Sequence, residues 1–416
     1  MMSCTAFASR TGGSSYVARA TLSVIRPGIL LLLFSSAGCD SGVGQGFQGS
    51  VVVDGNRDAS LTSALGKTTG EPNDAFSEAI VAVFDSDGMA RLQGTIANVG
   101  DLDVFLLGPL SPGQLVLVDT ETTGSPLDIS LAIFDSRQRL VYNNDDRGGS
   151  SSRFLDSYVE WIVRHAGERY YLAVTHSAFA GGGTFTGTYT INVQVAGGFQ
   201  TPEPVGQVLL LDFDGAVVDS PLLGSMTLAP FDAASISLIY EGQTETIKET
   251  IRALFEQNFE RFNVTIRTTD DPPAAGEALV STIFLGGLDR SAFAIAEGVD
   301  LYNADFCDDA IIFTESFEPR LVFSVIPTAV EMGIAIGNVG SHEAGHLLGL
   351  NHVDDDRALM DDRSAADVFL EDQEFMEAPL STDIMALGTQ DAVLLLNETV
   401  GPSTVVSSRL RVAKLD

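Results

Sequence analysis

Five residues in the last third of the chain could do chemistry together: His342, Glu343, His346, Gly349 and His352. Histidines four apart share one face of a helix, one turn from each other. Two neutral imidazoles so placed suit a divalent metal, zinc above all. Glu343 follows the first histidine directly, so its carboxylate is turned away from that ligand direction and can reach a water beside the metal. Glycine at 349 fits a helix end, where the left-handed conformation is needed. The chain can then turn back and bring in His352 as a third ligand. Three protein ligands leave a fourth position open, which separates a catalytic zinc site from a structural one. The chemistry expected is hydrolysis. The ion polarises a carbonyl and lowers the pKa of water, while Glu343 takes the proton and passes it to the leaving amine. Of the five histidines in the chain, only His165 and His176 lie elsewhere. Each stands alone and reads as an ordinary surface or core residue.

The run His342-Glu343-Ala344-Gly345-His346-Leu347-Leu348-Gly349-Leu350-Asn351-His352 resembles the extended zinc signature of the metzincin peptidases, with every fixed position present. That resemblance implies a zinc cofactor, protein or peptide substrates, and a methionine turn under the metal. Met360, eight residues after His352, matches the spacing of the matrixin branch, and Met385 is a second, weaker match. No tyrosine follows Met360, so the tyrosine that astacins and serralysins bring near the metal is not carried over. A cysteine-switch propeptide and the serralysin calcium repeats are also missing. The acidic stretch after Met360 (Asp361, Asp362, Asp367, Glu371, Asp372, Glu374, Glu377) implies a bias toward basic or neutral substrates.

These residues need elements to hold them. Ile247, Ile251, Leu254, Phe255, Phe259 and Phe262 recur at spacings of three and four, which predicts one apolar stripe on a helix over 244–262. Apolar runs at 208–213, 264–267, 279–285 and 310–314 predict strands, so residues 205–416 read as an α/β (α+β) domain. Upstream, short segments at 115–119, 130–134, 170–174 and 188–193 are separated by Gly- and Asp-rich turns. That texture predicts an all-β sandwich over 70–197. The expected fold is therefore multidomain: a β-sandwich followed by a metzincin-like catalytic domain.

Within the sandwich, Glu71-Pro72-Asn73-Asp74, Gly100-Asp101-Leu102-Asp103-Val104-Phe105, Asn144-Asp145-Asp146 and Gly187-Thr188-Tyr189 resemble the bacterial pre-peptidase C-terminal domain. The resemblance makes Glu71, Asn73, Asp74, Asp101 and Asp103 calcium candidates, since calcium takes several hard oxygen ligands. The same residue types also serve as turn and capping residues.

The start of the chain reads as an address. Arg19 and Arg26 precede the apolar run 29–34, and small residues follow to Gly38, so residues 1–38 predict a secretory signal. The run is too short to span a bilayer. Ala37-Gly38-Cys39 resembles a bacterial lipobox, which would make Cys39 a lipid anchor and the chain's one membrane contact; plain cleavage near Ala37 is the alternative. Residues 39–69 read as a flexible tether. Both outcomes place the protein outside the cytoplasm.

With 23 Lys and Arg against 56 Asp and Glu, the formal net charge is -33, a balance that repels nucleic acid. Three cysteines, Cys4, Cys39 and Cys307, make no disulfide framework, and Cys307 reads as a small buried core residue. The leading expectation is a zinc endopeptidase. The alternative is an extracellular binding or adhesion lipoprotein that works through its sandwich.

Overall fold

A computed structural model describes residues 71–404 except 123, 148–154, 179–184, 221–222, 273–278 and 364. The leader and tether expected over 1–69, Cys39 among them, lie outside the described residues. The exception is the backbone of four two-residue strands, β1 (Ala20–Thr21), β2 (Val24–Ile25), β3 (Ile29–Leu30) and β4 (Leu33–Phe34). The chain divides into two compact units, residues 40–202 and residues 203–416 together with 1–39.

The first unit is β throughout. One sheet has the order β10 (Leu140–Asn144), β9 (Ile129–Phe134), β12 (Gly167–His176), β7 (Asp103–Leu110) and β5 (Ile80–Val81). The other runs β11 (Tyr158–Ile162), β8 (Leu115–Glu121), β13 (Gly187–Ala196) and β6 (Met89–Ile96). Every pairing is antiparallel except β5 with β7. In β8 every second residue is buried, and β6 follows the same alternation except at the half-buried Gly94, as a sheet with one covered face requires. The covered faces meet: Trp161 of one sheet packs on Tyr170 of the other, ring centroids 5.7 Å apart.

The second unit is built on a mixed sheet, parallel over its first four strands and antiparallel beyond. β14 (Gln207–Asp212) lies between β17 (Val264–Thr268) and β18 (Val280–Leu285), parallel to both, and β18 is parallel to β20 (Asp309–Ile312). β19 (Ala294–Ala296) joins β20 antiparallel, and β1 and β4 extend that edge. A hairpin of β15 (Val217–Ser220) and β16 (Gly224–Thr227) leads through the short helix α1 (Ala233–Ile236) into α2 (Thr244–Asn258). The apolar stripe read from the sequence is the buried face of α2. Phe259 and Phe262 are buried too, in the turn that follows the helix. After the short α3 (Pro319–Val322), α4 (Ala329–Leu347) runs through the core beside α2, buried on all sides from Met332 to its end. Strands β21 (Glu377–Pro379) and β22 (Thr389–Asp391) and helix α5 (Ala392–Thr399) complete the unit.

Small residues let the two helices approach. A Cβ on Gly333 would lie 2.6 Å from Thr250, one on Gly337 would lie 2.9 Å from Leu254, and one on Gly340 would lie 2.7 Å from Phe255. The start of α4 is fixed by a capping box: Thr328 Oγ1 accepts from the Glu331 N–H at 3.2 Å, and Glu331 accepts from the Thr328 N–H at 2.7 Å. A cap of this kind contributes about 1 kcal/mol. One reading of the sequence is corrected here. Cys307 is half-buried and disulfide-bonded, not a free thiol in the core. Its surroundings, with Asp305 and Asp308 in the loop and Asp309 opening β20, are too polar to bury a thiol as a hydrophobe.

Candidate metal centre and active site

α4 carries His342 and His346 on one face, and the chain after it brings back His352. The three Nε2 atoms form a nearly equilateral triangle, with sides of 3.0, 3.1 and 2.9 Å. An ion about 2.0–2.1 Å from each nitrogen fits above such a triangle. The opposite ring nitrogens set the tautomer. His342 Nδ1 donates to the Leu359 carbonyl at 2.6 Å, and His346 Nδ1 donates to the Leu350 carbonyl at 2.7 Å. A carbonyl only accepts, so on both rings the proton sits on Nδ1 and the Nε2 lone pair is free. Burial holds all three imidazoles neutral: it lowers His342 to about 4 and takes His346 and His352 well below the ordinary histidine value. Three buried neutral imidazole nitrogens converging at this distance, two of them with the lone pair turned inward, are a donor set that fits a zinc ion.

The turn that delivers His352 is closed by Gly349. The Gly349 N–H donates to His346 O at 2.9 Å and the Leu350 N–H donates to Gly345 O at 2.9 Å, the paired bonds of a Schellman end. Gly349 has φ +92°. Met360 is buried at 1% exposure and packs against the helix from below: a Cβ on Gly345 would lie 2.5 Å from its Sδ. Met385 is equally buried at 1%. Gly345 thus answers to Met360, a constraint that the sequence reading did not assign.

Glu343 is 1% exposed. Burial pushes its carboxyl well above the ordinary range, and a hydrogen bond from the Ala296 N–H on β19 offsets this in part. Its Oε2 is buried with no hydrogen-bond partner. A dication at the triad would favour the carboxylate form again. None of the four side chains is more than 6% exposed.

The acidic stretch after Met360 is not uniformly a charged surface. Asp361 and Asp362 are buried. Asp361 accepts from the Asp355 N–H at 3.0 Å, and Asp362 accepts from the Ser381 hydroxyl at 2.6 Å. Asp372 and Glu374, by contrast, line a cleft with Gln257, Asn258, Glu260 and Arg261.

In the sandwich unit the structure brings Glu71, Asp74 and Asp101 together, with one carboxylate oxygen of each within 4.8 Å of the others. Asn73 and Asp103 lie behind them, buried. Asn73 Nδ2 donates to Asp103 at 2.7 Å, and the Tyr189 hydroxyl donates to its other oxygen at 2.5 Å. Asp101 is held by the Ala97 N–H. Desolvation raises Glu71, and the neighbouring carboxylates Asp103, Asp101 and Asp74 raise it further. Tyr189 stood in the sequence only as the last residue of a short motif; the fold makes it the support of Asp103. His165 and His176 stay apart from both groups. His165 lies 3.5 Å from Asp135, and His176 bonds the Val99 carbonyl at 2.8 Å.

A further acidic set occupies other loops of the same unit. Burial raises Asp128 to about 6, with Asp156 adding to it, and raises Asp146 to about 7, with Asp128 adding to it. Between the ordinary carboxylate value and these values the folded state keeps protons that the unfolded chain has lost. Stability therefore falls as pH rises from about 4 to about 7, by about 3 kcal/mol for a shift of two units. In chelator-containing buffer, Asp128→Asn is expected to raise the melting temperature at pH 7 and leave it nearly unchanged at pH 4. Equal shifts at both pH values would show that Asp128 does not carry this dependence.

No protein-family model matches the chain, and no curated protein matches it. Among solved structures it is similar to archaemetzincin from Methanopyrus kandleri, with 13% identity over 41% of this chain and 87% of that one, TM-score 0.23. It is also similar to a zinc-dependent peptidase from Methanocorpusculum labreanum, with 14% identity over 41% of this chain and 94% of that one, TM-score 0.23. A third is PliG of Aeromonas hydrophila, a periplasmic lysozyme inhibitor of g-type lysozyme, with 14% identity over 28% of this chain and 96% of that one, TM-score 0.22. At these TM-scores the likenesses carry no argument about function. Among the described residues, no helix is long and apolar enough to cross a membrane.

Proposed function

We propose that the chain is a zinc-dependent endopeptidase of the metzincin type that acts outside the cytoplasm on protein or peptide substrates. The observation that carries this is the Nε2 triangle of His342, His346 and His352 beside the buried, half-unpartnered carboxylate of Glu343. Zinc held there supplies a Lewis acid and lowers the pKa of water. The chain's own residues do the rest. The Leu359 and Leu350 carbonyls keep two ligand nitrogens deprotonated and aimed. Glu343 accepts a proton from the attacking water and hands it to the leaving amine. Burial excludes bulk water and strengthens each charge interaction in the site. The test uses the full chain and an unstructured protein such as casein. Cleavage that stops on zinc chelation and returns with zinc supports the reading. No cleavage by protein that holds one zinc rejects general endopeptidase activity.

For the first unit, we read the Glu71, Asp74 and Asp101 group as a calcium site of a pre-peptidase C-terminal type domain, with Asn73 and Asp103 behind it. Three carboxylates so close repel one another unless a cation joins them. Millimolar calcium is expected to raise the melting temperature of wild type and not that of Asp101→Asn. An identical response in both proteins sinks this reading. Secretion and lipidation at Cys39 stay part of the proposal and rest on the leader sequence alone.

A further inference from the structure

Three consecutive residues deliver the third histidine, and each is tied down from a distance. Leu350 gives its carbonyl to His346 Nδ1. His352 gives its carbonyl to the Ser381 N–H at 3.1 Å. Asn351, between them, is held at both backbone groups by one side chain. Its N–H donates to Gln390 Oε1 at 2.7 Å, and its carbonyl accepts from Gln390 Nε2 at 2.7 Å. The Gln390 amide therefore acts as a strand neighbour would, pairing with the donor and acceptor of one residue. Both residues are buried, Gln390 at 0% and Asn351 at 2% exposure, so water cannot replace either bond. Gln390 is itself fixed by its place in β22, where its backbone is in register with Ala378 of β21.

We infer that Gln390 is a positioning residue for the metal centre: its side-chain amide sets the backbone of Asn351 and through it the direction from which His352 Nε2 meets the ion. The inference rests on the zinc reading of the triad. The geometry around Asn351 accounts for why an amide is needed. A carboxamide carries a donor and an acceptor side by side on one planar group, which matches the N–H and carbonyl of a single residue, and Gln390 Oε1 and Nε2 reach both from β22. A hydrophobic side chain of equal length would fill the space and leave two buried backbone groups unpaired. The segment would then relax, and the triangle of nitrogens would lose its third corner.

The test compares full-length wild type, Gln390→Met and a distant core control, Ile266→Ala on β17. Two readouts that do not need activity are used: zinc affinity by chelator competition, and the visible absorption bands of the cobalt-substituted protein. Gln390→Met keeps the side-chain volume and removes both bonds. It is expected to bind zinc about 10-fold more weakly, the lower end of what loss of a supporting contact costs a metal site, and to shift the cobalt bands. Ile266→Ala is expected to lower the melting temperature and leave both metal readouts unchanged. If Gln390→Met does not fold, Gln390→Glu, which keeps an acceptor for the Asn351 N–H, takes its place and is expected to fall between wild type and complete loss. A Gln390 variant with wild-type zinc affinity and unshifted bands overturns the inference. Wild type that takes up neither metal overturns the zinc reading and this inference with it.

Discussion

Glu343→Gln is expected to leave zinc binding intact and to cut peptide hydrolysis by about 10²–10⁴-fold, the range that a positioned general base contributes. The substitution is nearly isosteric, and the buried pocket around the side chain is retained. The amide oxygen can still accept from the Ala296 N–H that holds the carboxylate now. What is lost is the ability to take a proton. The expected signature is a fall in kcat with zinc stoichiometry and melting temperature close to wild type. Loss of zinc together with activity would make Glu343 a structural residue of the site. Full activity would mean that another group serves as the base.

Gly349→Ala is expected to damage the site through the backbone. A residue other than glycine in the left-handed region costs about 1–2 kcal/mol. Here a contact penalty is added, because a Cβ would meet Asp300 O, Leu301 Cα and Tyr302 N, each at 2.9 Å, and these are backbone atoms that cannot step aside. Gly242 supplies the control: its φ is +78°, and a Cβ there meets nothing within 4 Å. Gly242→Ala should show the conformational cost alone, a drop of a few degrees in melting temperature (about 2–4 °C per kcal/mol). Gly349→Ala should fall further and also weaken zinc binding, because the turn carries His352. Equal losses from the two variants, with zinc affinity unchanged, would remove Gly349 from the metal site's support.

The parts of the site legible in the sequence are those set by local spacing. Two histidines four apart, a glutamate beside the first and a glycine at the helix end state their geometry through the helical repeat itself. α4 and the turn after it place these residues where that repeat requires. The stripe on α2 and the strands around 208–213, 264–267, 279–285 and 310–314 were legible for the same reason, since burial of one face leaves a period in the sequence. The capping box at Thr328 and Glu331 was equally readable, because its two residues lie three positions apart, yet the sequence reading passed over it. Cys307 was misread because neither a disulfide nor partial burial leaves a trace in the residues around it.

The sequence by itself therefore determined the side chains on offer: three imidazoles and a carboxylate at helical spacing, in a chain with a formal net charge of -33. It also determined the helix that carries most of that chemistry. Only the tertiary structure decided how the pieces are held. Ala296 N–H on Glu343, Met360 against Gly345, Tyr189 behind Asp103 and Gln390 on Asn351 each join residues from 15 to 86 positions apart. Such contacts are fixed by the order in which strands and helices pack. No short window of sequence contains both partners, so nothing in either residue's surroundings announces the other.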